Sequence, residues 1–197
     1  MNTRPMRGDQ RDRGQGNIFI ITTFFFTRLR LCHELGKAND EITEGYNALR
    51  RWFPAGTWSD HERIFIPVNT GHLNKDSKGQ IEGVHWSLMV VEPFTKMIRL
   101  YDPRHDTPST YMQIVADFLR YEWKQQGFQG GETWQQEYVP SNKIPKQTDS
   151  VSCGIFLCAI ADCLSGNMEV NSFGQGDIDE IRKAIETLLR NVYLCKK

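Results

Sequence analysis

The chain has 197 residues, 39% of them hydrophobic and 11% aromatic, with 24 Lys plus Arg against 24 Asp plus Glu. It is long enough for one domain with a sizeable core, and its zero formal net charge leaves no electrostatic footprint for nonspecific nucleic-acid binding. Five cysteines cannot all pair within one chain, and Cys32, Cys153, Cys158, Cys163 and Cys195 lack the C-x-x-C spacing of a zinc site, which points to a reducing intracellular compartment.

Residues 1–17 are rich in Arg, Gly, Asp and Gln without apolar periodicity, the composition of a disordered segment. The apolar run Ile18 to Phe26 has the length of a signal-peptide core. No small-residue cleavage site follows it, only Thr27-Arg28-Leu29-Arg30, and it is too short to span a bilayer, so a buried helix or strand is expected. Between Leu29 and Trp52 the spacing of Leu35, Ile42, Tyr46 and Leu49 is helical, with Asp40 and Thr43 as candidate caps. Trp52 and Trp58 read as core or edge packing. Arg63 to Val68 is a short apolar strand ended by Pro67, and Thr70 to Gly83 is a polar loop.

Val84 to Val91 and Met97 to Asp102 read as two strands joined by the turn Glu92-Pro93-Phe94-Thr95. If Val91 pairs with Lys96, His85 falls directly opposite Asp102, with Cβ atoms about 4.5–5.5 Å apart. A lone His on an apolar strand is usually structural, but a His facing a carboxylate is the base-and-orienter pair of nucleophilic catalysis. His33, His61, His72 and His105 read as surface or capping residues, His105 being the one close to Asp102 in sequence. A helix is predicted from Pro108-Ser109-Thr110 to about Trp123, a turn over 127–131, and an extended stretch from Trp134 to Val139.

The nucleophile is expected downstream. A polar loop runs into Cys153-Gly154, after which Ile155, Phe156, Ala159, Ile160 and Cys163 fit a buried helix. Cys153 then lies at a helix N-terminus, where free backbone N–H groups and the positive end of the dipole favour a thiolate. Gly154 allows a tight turn behind the sulfur, and Gln147, six residues upstream, carries an amide able to donate to an oxyanion. A final helix from Asp177 to Leu194 has Ile178, Ile181, Ile185, Leu188, Leu189 and Val192 as its core face, while Cys158, Cys163 and Cys195 read as small apolar fillers.

His85-Trp86, then Asp102, then Gln147 with five residues before Cys153-Gly154, resemble the ubiquitin-like-protein-specific cysteine proteases, the adenain-clan family that removes SUMO and related modifiers. The likeness extends through Thr22 to Thr27, Tyr46, Trp52, Ile64 to Asn69 and Asp177 to Arg182, and so covers nearly everything after about residue 18. It implies an α+β, papain-like fold of adenain type, a mixed and mainly antiparallel sheet flanked by helices. Residues 18–197 would form the catalytic domain, lacking the family's N-terminal part.

The resemblance also implies a mechanism. Cys153 attacks the carbonyl after a C-terminal Gly-Gly, His85 moves the proton, Asp102 orients His85, and the Gln147 amide with the Cys153 N–H holds the oxyanion. Trp86 would wall a narrow diglycine tunnel. No metal or cofactor is implied, nor any nucleic-acid or membrane partner; the expected partner is SUMO or another ubiquitin-like modifier, bound by a monomer in the nucleus or cytoplasm. Two departures stand out: Asp102-Pro103 replaces the family's Asp-Ser, and the 70–83 loop is unusually long, either a rim touching the modifier or a solvated insertion. A modifier-binding relic and a clan-related acyltransferase are the alternative readings. The family's tunnel has a second tryptophan in a Trp-Leu-Asn-Asp-like segment, for which residues 1–17 offer no counterpart. If nothing else precedes them, weak cleavage, uncovered core at Phe24, Phe25 and Phe26, and self-association are expected.

Overall fold

A computed structural model of the protein describes residues 17–36, 42–52, 60–73, 81–82, 85–127 and 133–194. Its framework is a five-stranded mixed sheet in the order β1-β2-β5-β6-β7, with β1 Ile18–Ile20, β2 Arg63–Asn69, β5 Trp86–Glu92, β6 Met97–Tyr101 and β7 Gln135–Tyr138. The three inner strands pair antiparallel, and β1 and β7 add in parallel at the two edges. A two-stranded ribbon, β3 His72–Leu73 with β4 Ile81–Glu82, lies apart from it. The helices are α1 Phe24–Gly36, α2 Ile42–Arg50, α3 Thr110–Gln125, α4 Cys153–Ser165 and α5 Ile178–Leu194. Among the described residues no helix is long and apolar enough to cross a membrane.

Strand period two sorts the core into two layers. Ile64, Ile66 and Val68 of β2, Met89 and Val91 of β5, and Ile98 and Leu100 of β6 face α1, α2 and α3, where Phe25, Phe26, Leu29, Tyr46 and Phe118 meet them. The alternate residues Phe65, Leu88, Val90 and Tyr101 face Ile160 of α4. Covered on both faces, β5 is therefore apolar without alternation from Leu88 to Val91. Removing one large apolar side chain from water contributes about 1.5–3 kcal/mol, and Phe25, Phe26, Phe65, Phe118 and Phe156 are all fully buried.

The run Ile18 to Phe26 is both strand and helix: β1 ends at Ile20, Phe25 N–H bonds the Thr22 carbonyl, and α1 begins at Phe24. Contrary to expectation, Phe25 and Phe26 are inside the core, and among the apolar residues of the run only Phe24 and Ile20 are exposed. Pro67 does not end β2, which continues to Asn69. It lies past the level of Phe65, the last residue paired to β1, so its missing N–H costs that edge nothing. Leu188, Leu189 and Val192 of α5 are also exposed, so the apolar face of that helix meets the body only through Ile178, Ile181 and Ile185. Cys163 is buried as a filler, whereas Cys158 is exposed. Asp40, Trp58, Cys195, the 1–16 segment and most of the 70–83 loop lie outside the described residues.

The expected strand register is corrected. Leu88 pairs with Tyr101 and Glu92 with Met97, two positions away from a pairing that sets His85 opposite Asp102. The turn is Pro93 to Lys96, closed by Lys96 N–H on the Pro93 carbonyl, and Lys96 takes a left-handed conformation at φ 52°. Lys96 thus belongs to the loop and not to the strand.

Candidate active site

His85 and Asp102 lie just outside the paired ends of β5 and β6. The shift by two residues keeps them on one face as diagonal neighbours, within reach of the imidazole. Their contact forms: His85 Nε2–H donates to Asp102 Oδ1 at 2.6 Å, and both residues are buried. The carboxylate accepts four further bonds, from the backbone N–H of Arg104, Asp106 and Thr107 and from the Tyr138 hydroxyl. Burial alone would raise its pKa. The bonds from His85, Thr107 and Arg104 outweigh burial and hold it well below the usual carboxylate range.

Pro103 explains how this cradle survives the Asp-Pro sequence. The three N–H groups come from residues 104, 106 and 107, beyond the proline, and His105 takes φ 57° where the chain curls around the carboxylate. His105 also stacks on Tyr138 at 4.7 Å between ring centroids. Beneath, Thr107 Oγ1 donates to Ser87 Oγ, tying the curl to β5. Tyr138 carries no sequence signal, because it stands 36 residues from Asp102 as a lone Tyr in an extended run, and Thr107 and Ser87 belong to no local motif.

With Nε2 committed to Asp102, the other imidazole nitrogen of His85, Nδ1, is buried and has no hydrogen-bond partner among the described residues. A buried nitrogen left unpaired is costly, and such sites call for an explanation. Nδ1 is the acceptor in this tautomer, the state of a general base.

Cys153 opens α4 and is buried, with Ser152 as the residue before the helix. Ser152 accepts from Ile155 and Phe156 N–H, and Phe156, Ala159, Ile160 and Cys163 carry the buried face down the helix. α4 packs against β5, and Gly154, the residue after Cys153, shares a groove with Trp86, the residue after His85. Trp86 and Gly154 line one apolar groove with Ile20, Pro67, Leu157 and Cys158. Gly154 does not make a tight turn; it lies in the first turn of α4, and an added Cβ would meet nothing within 4 Å.

Gln147 is buried, and its backbone N–H bonds the Pro103 carbonyl, next to Asp102. Its amide nitrogen donates to Asp149 Oδ1 and to the Asp149 carbonyl, both at 2.9 Å, while its own oxygen has no partner among the described residues. Asp149 is a residue the sequence reading passed over, although an Asp two residues ahead of a loop N–H is the signal of an Asx-turn. The residues present are those of thiol chemistry: a cysteine at a helix start, an oriented imidazole with one nitrogen unpaired among the described residues, and a glutamine whose backbone N–H bonds the residue after Asp102.

Residues 6–196 match the model of the Ulp1 protease family, C-terminal catalytic domain. Human sentrin-specific protease 2 is 24% identical over 178 residues, which are 88% of this chain and 26% of that protein. The chain thus spans about a quarter of the length of this curated relative. Among solved structures, the C-terminal Ulp1 protease domain in complex with Smt3, the yeast ortholog of SUMO, superposes with a TM-score of 0.60 at 22% identity, covering 85% of this chain and 65% of that one. A second, the SUMO protease Ulp1 with its catalytic cysteine oxidised to a sulfenic acid, gives 0.65 at 21% identity over 91% and 71%. The chain belongs to the Ulp1 protease family and carries its C-terminal catalytic domain fold.

Proposed function

We propose that the chain is a cysteine peptidase that cleaves after the C-terminal Gly-Gly of SUMO or a related ubiquitin-like modifier, in precursors or in conjugates. The observation that carries this reading is the polarised state of His85. One nitrogen is fixed at 2.6 Å to a carboxylate, and the other is buried and unpaired among the described residues, which leaves it to a thiol.

In this reading His85 Nδ1 takes the Cys153 proton, and the sulfur attacks the carbonyl carbon of the terminal glycine. The carbonyl π electrons move to oxygen, and the resulting oxyanion is held by the Cys153 N–H and the Gln147 amide. Collapse breaks the C–N bond, and His85 passes its proton to the departing amine. Water then attacks the thioester and gives its proton to His85. The acid leaves, and the thiol regains that proton. Asp102 stays ionised throughout and keeps Nε2 protonated.

Trp86 and the bare backbone of Gly154 would border the diglycine segment, where a larger side chain would not fit. Such a thiol works in a reducing setting, which agrees with placement in the nucleus or cytoplasm. The test is to react the protein with a panel of ubiquitin-like modifiers bearing C-terminal thiol-reactive groups. Covalent capture of at least one at Cys153, and none by Cys153→Ala, is expected; no capture across the panel would overturn the reading.

A further inference from the structure

We propose that Gln175 and Asp149 form a clamp that sets the position of the Gln147 amide, making Gln175, from the segment before α5, a positioning residue for the oxyanion donor. The inference rests on the peptidase reading above. Gln175 begins the short 3-10 turn Gln175–Asp177 that leads into α5, and it reaches the loop before α4 with both ends of its side chain. Its amide nitrogen donates to Asp149 Oδ2 at 2.8 Å, and its amide oxygen accepts the Thr148 N–H at 2.8 Å. Thr148 and Asp149 are the two residues that follow Gln147.

Asp149 is the centre of the cluster. Its Oδ1 accepts from the N–H groups of Val151 and Ser152 and from the Gln147 amide, and its Oδ2 from the Ser152 hydroxyl as well as Gln175. The Ser152 hydroxyl is the largest influence holding its carboxyl below the ordinary range, ahead of opposing burial and of help from Gln147. The Gln147 amide nitrogen has two acceptors on this one residue, the Asp149 carbonyl and Oδ1, at 2.9 Å each. A planar amide nitrogen has only two hydrogens, so an oxyanion competes with Asp149 for one of them. Where that hydrogen points is fixed by where Asp149 stands. Gln175 fixes Asp149 from outside and engages its charge, so that a carboxylate can sit beside a developing oxyanion.

A residue acting through Gln147 loses its effect once Gln147 is gone. The experiment compares the wild type, Gln175→Ala, Gln147→Ala and the double variant on a modifier whose terminal glycine carries a fluorogenic amide. Alkylation of Cys153 by iodoacetamide, read by site-resolved mass spectrometry, reports on the thiol without any oxyanion. Loss of a direct oxyanion donor costs about a hundredfold or more in kcat, so an indirect one is expected to cost about tenfold. The clamp predicts that loss in kcat for Gln175→Ala, an unchanged KM, an unchanged alkylation rate, and no further loss when Gln147 is already Ala. Full kcat in Gln175→Ala, an additive loss in the double variant, or alkylation falling in parallel would overturn it. Hydrogen exchange of the Gln147 side-chain amide by NMR decides the point without turnover: faster exchange in Gln175→Ala is expected, and unchanged exchange overturns the clamp. A wild type that cleaves no diglycine substrate refutes the peptidase reading instead.

Discussion

His85 Nε2 reaches Asp102 Oδ1 at 2.6 Å although the two residues are diagonal neighbours, the β5–β6 register placing Asp102 level with Ser87. The diagonal leaves room between the strand ends for the 103–107 curl, whose three N–H groups finish the carboxylate's shell. An Asn at 102 would turn an amide group toward donors, with one oxygen left to accept. Asp102→Asn is therefore expected to lower kcat by about 10³–10⁴-fold, the scale of loss when the orienting carboxylate of a serine-protease triad is neutralised. Steady-state kinetics checks this; a loss below about tenfold would assign the orientation of His85 to another group.

The same carboxylate gives a pH-dependent stability with a definite sign. Its folded-state pKa lies below the value of about 3.9 for an unfolded Asp, so its ionised form stabilises the fold above that pH, and the contribution fades as pH falls through the depressed value. The Tm gap between wild type and Asp102→Asn is expected to be wide and flat from pH 6 to 8 and to narrow below about pH 4. Calorimetry across that range would contradict the assignment if the gap were constant to the acid end.

Much of this was legible in the sequence because it depends on order and local pattern. The spacing of His85, Asp102, Gln147 and Cys153 survives any register, and the apolar run after Cys153 does form a helix. The two-residue slip between strands was not legible, since a shift by two returns every side chain to its own face and leaves the hydrophobic pattern unchanged. Only the left-handed Lys96 distinguishes the two registers, and a lysine does not announce that conformation. The apolar stripe of α5 predicts burial throughout, but periodicity reports which face is apolar and not how far the body extends beneath it. Tyr138 and Gln175 are joined to the site by contacts spanning 36 and 26 residues, which no local pattern encodes.

Replacing Cys153 by Ala removes the sulfur and little else. The residue is buried, so it offers almost no area to a bound protein. Cys153→Ala is expected to abolish turnover while modifier affinity, measured by calorimetry, changes less than about threefold, the range of an energetically neutral position at an interface. Retained turnover would remove Cys153 from the mechanism.

Phe118 anchors the other face of the sheet, fully buried and edge-on to both Phe25 and Tyr46, with ring centroids 5.4 and 5.3 Å away. Phe118→Ala is expected to cost about 3–5 kcal/mol, from lost transfer energy and the cavity left behind. Chemical denaturation measures it. A cost under about 1.5 kcal/mol would mean that α1, α2 and α3 collapse readily into the space.

Gly154 separates stability from function in one substitution. It sits in the first turn of α4, where glycine is worse than alanine by about 0.5–1 kcal/mol, and a Cβ there meets nothing within 4 Å. The fold should therefore gain slightly from Gly154→Ala. The new methyl, however, would project into the groove that Gly154 shares with Trp86, where the reading above places the diglycine segment. Gly154→Ala is expected to raise Tm by a few degrees and to lower kcat/KM, with Gly154→Leu lowering it further, while iodoacetamide still alkylates Cys153 in both. A small reagent passes where a protein tail does not. Unchanged kcat/KM in Gly154→Leu would place the tail elsewhere and leave the groove beside Trp86 outside the substrate path.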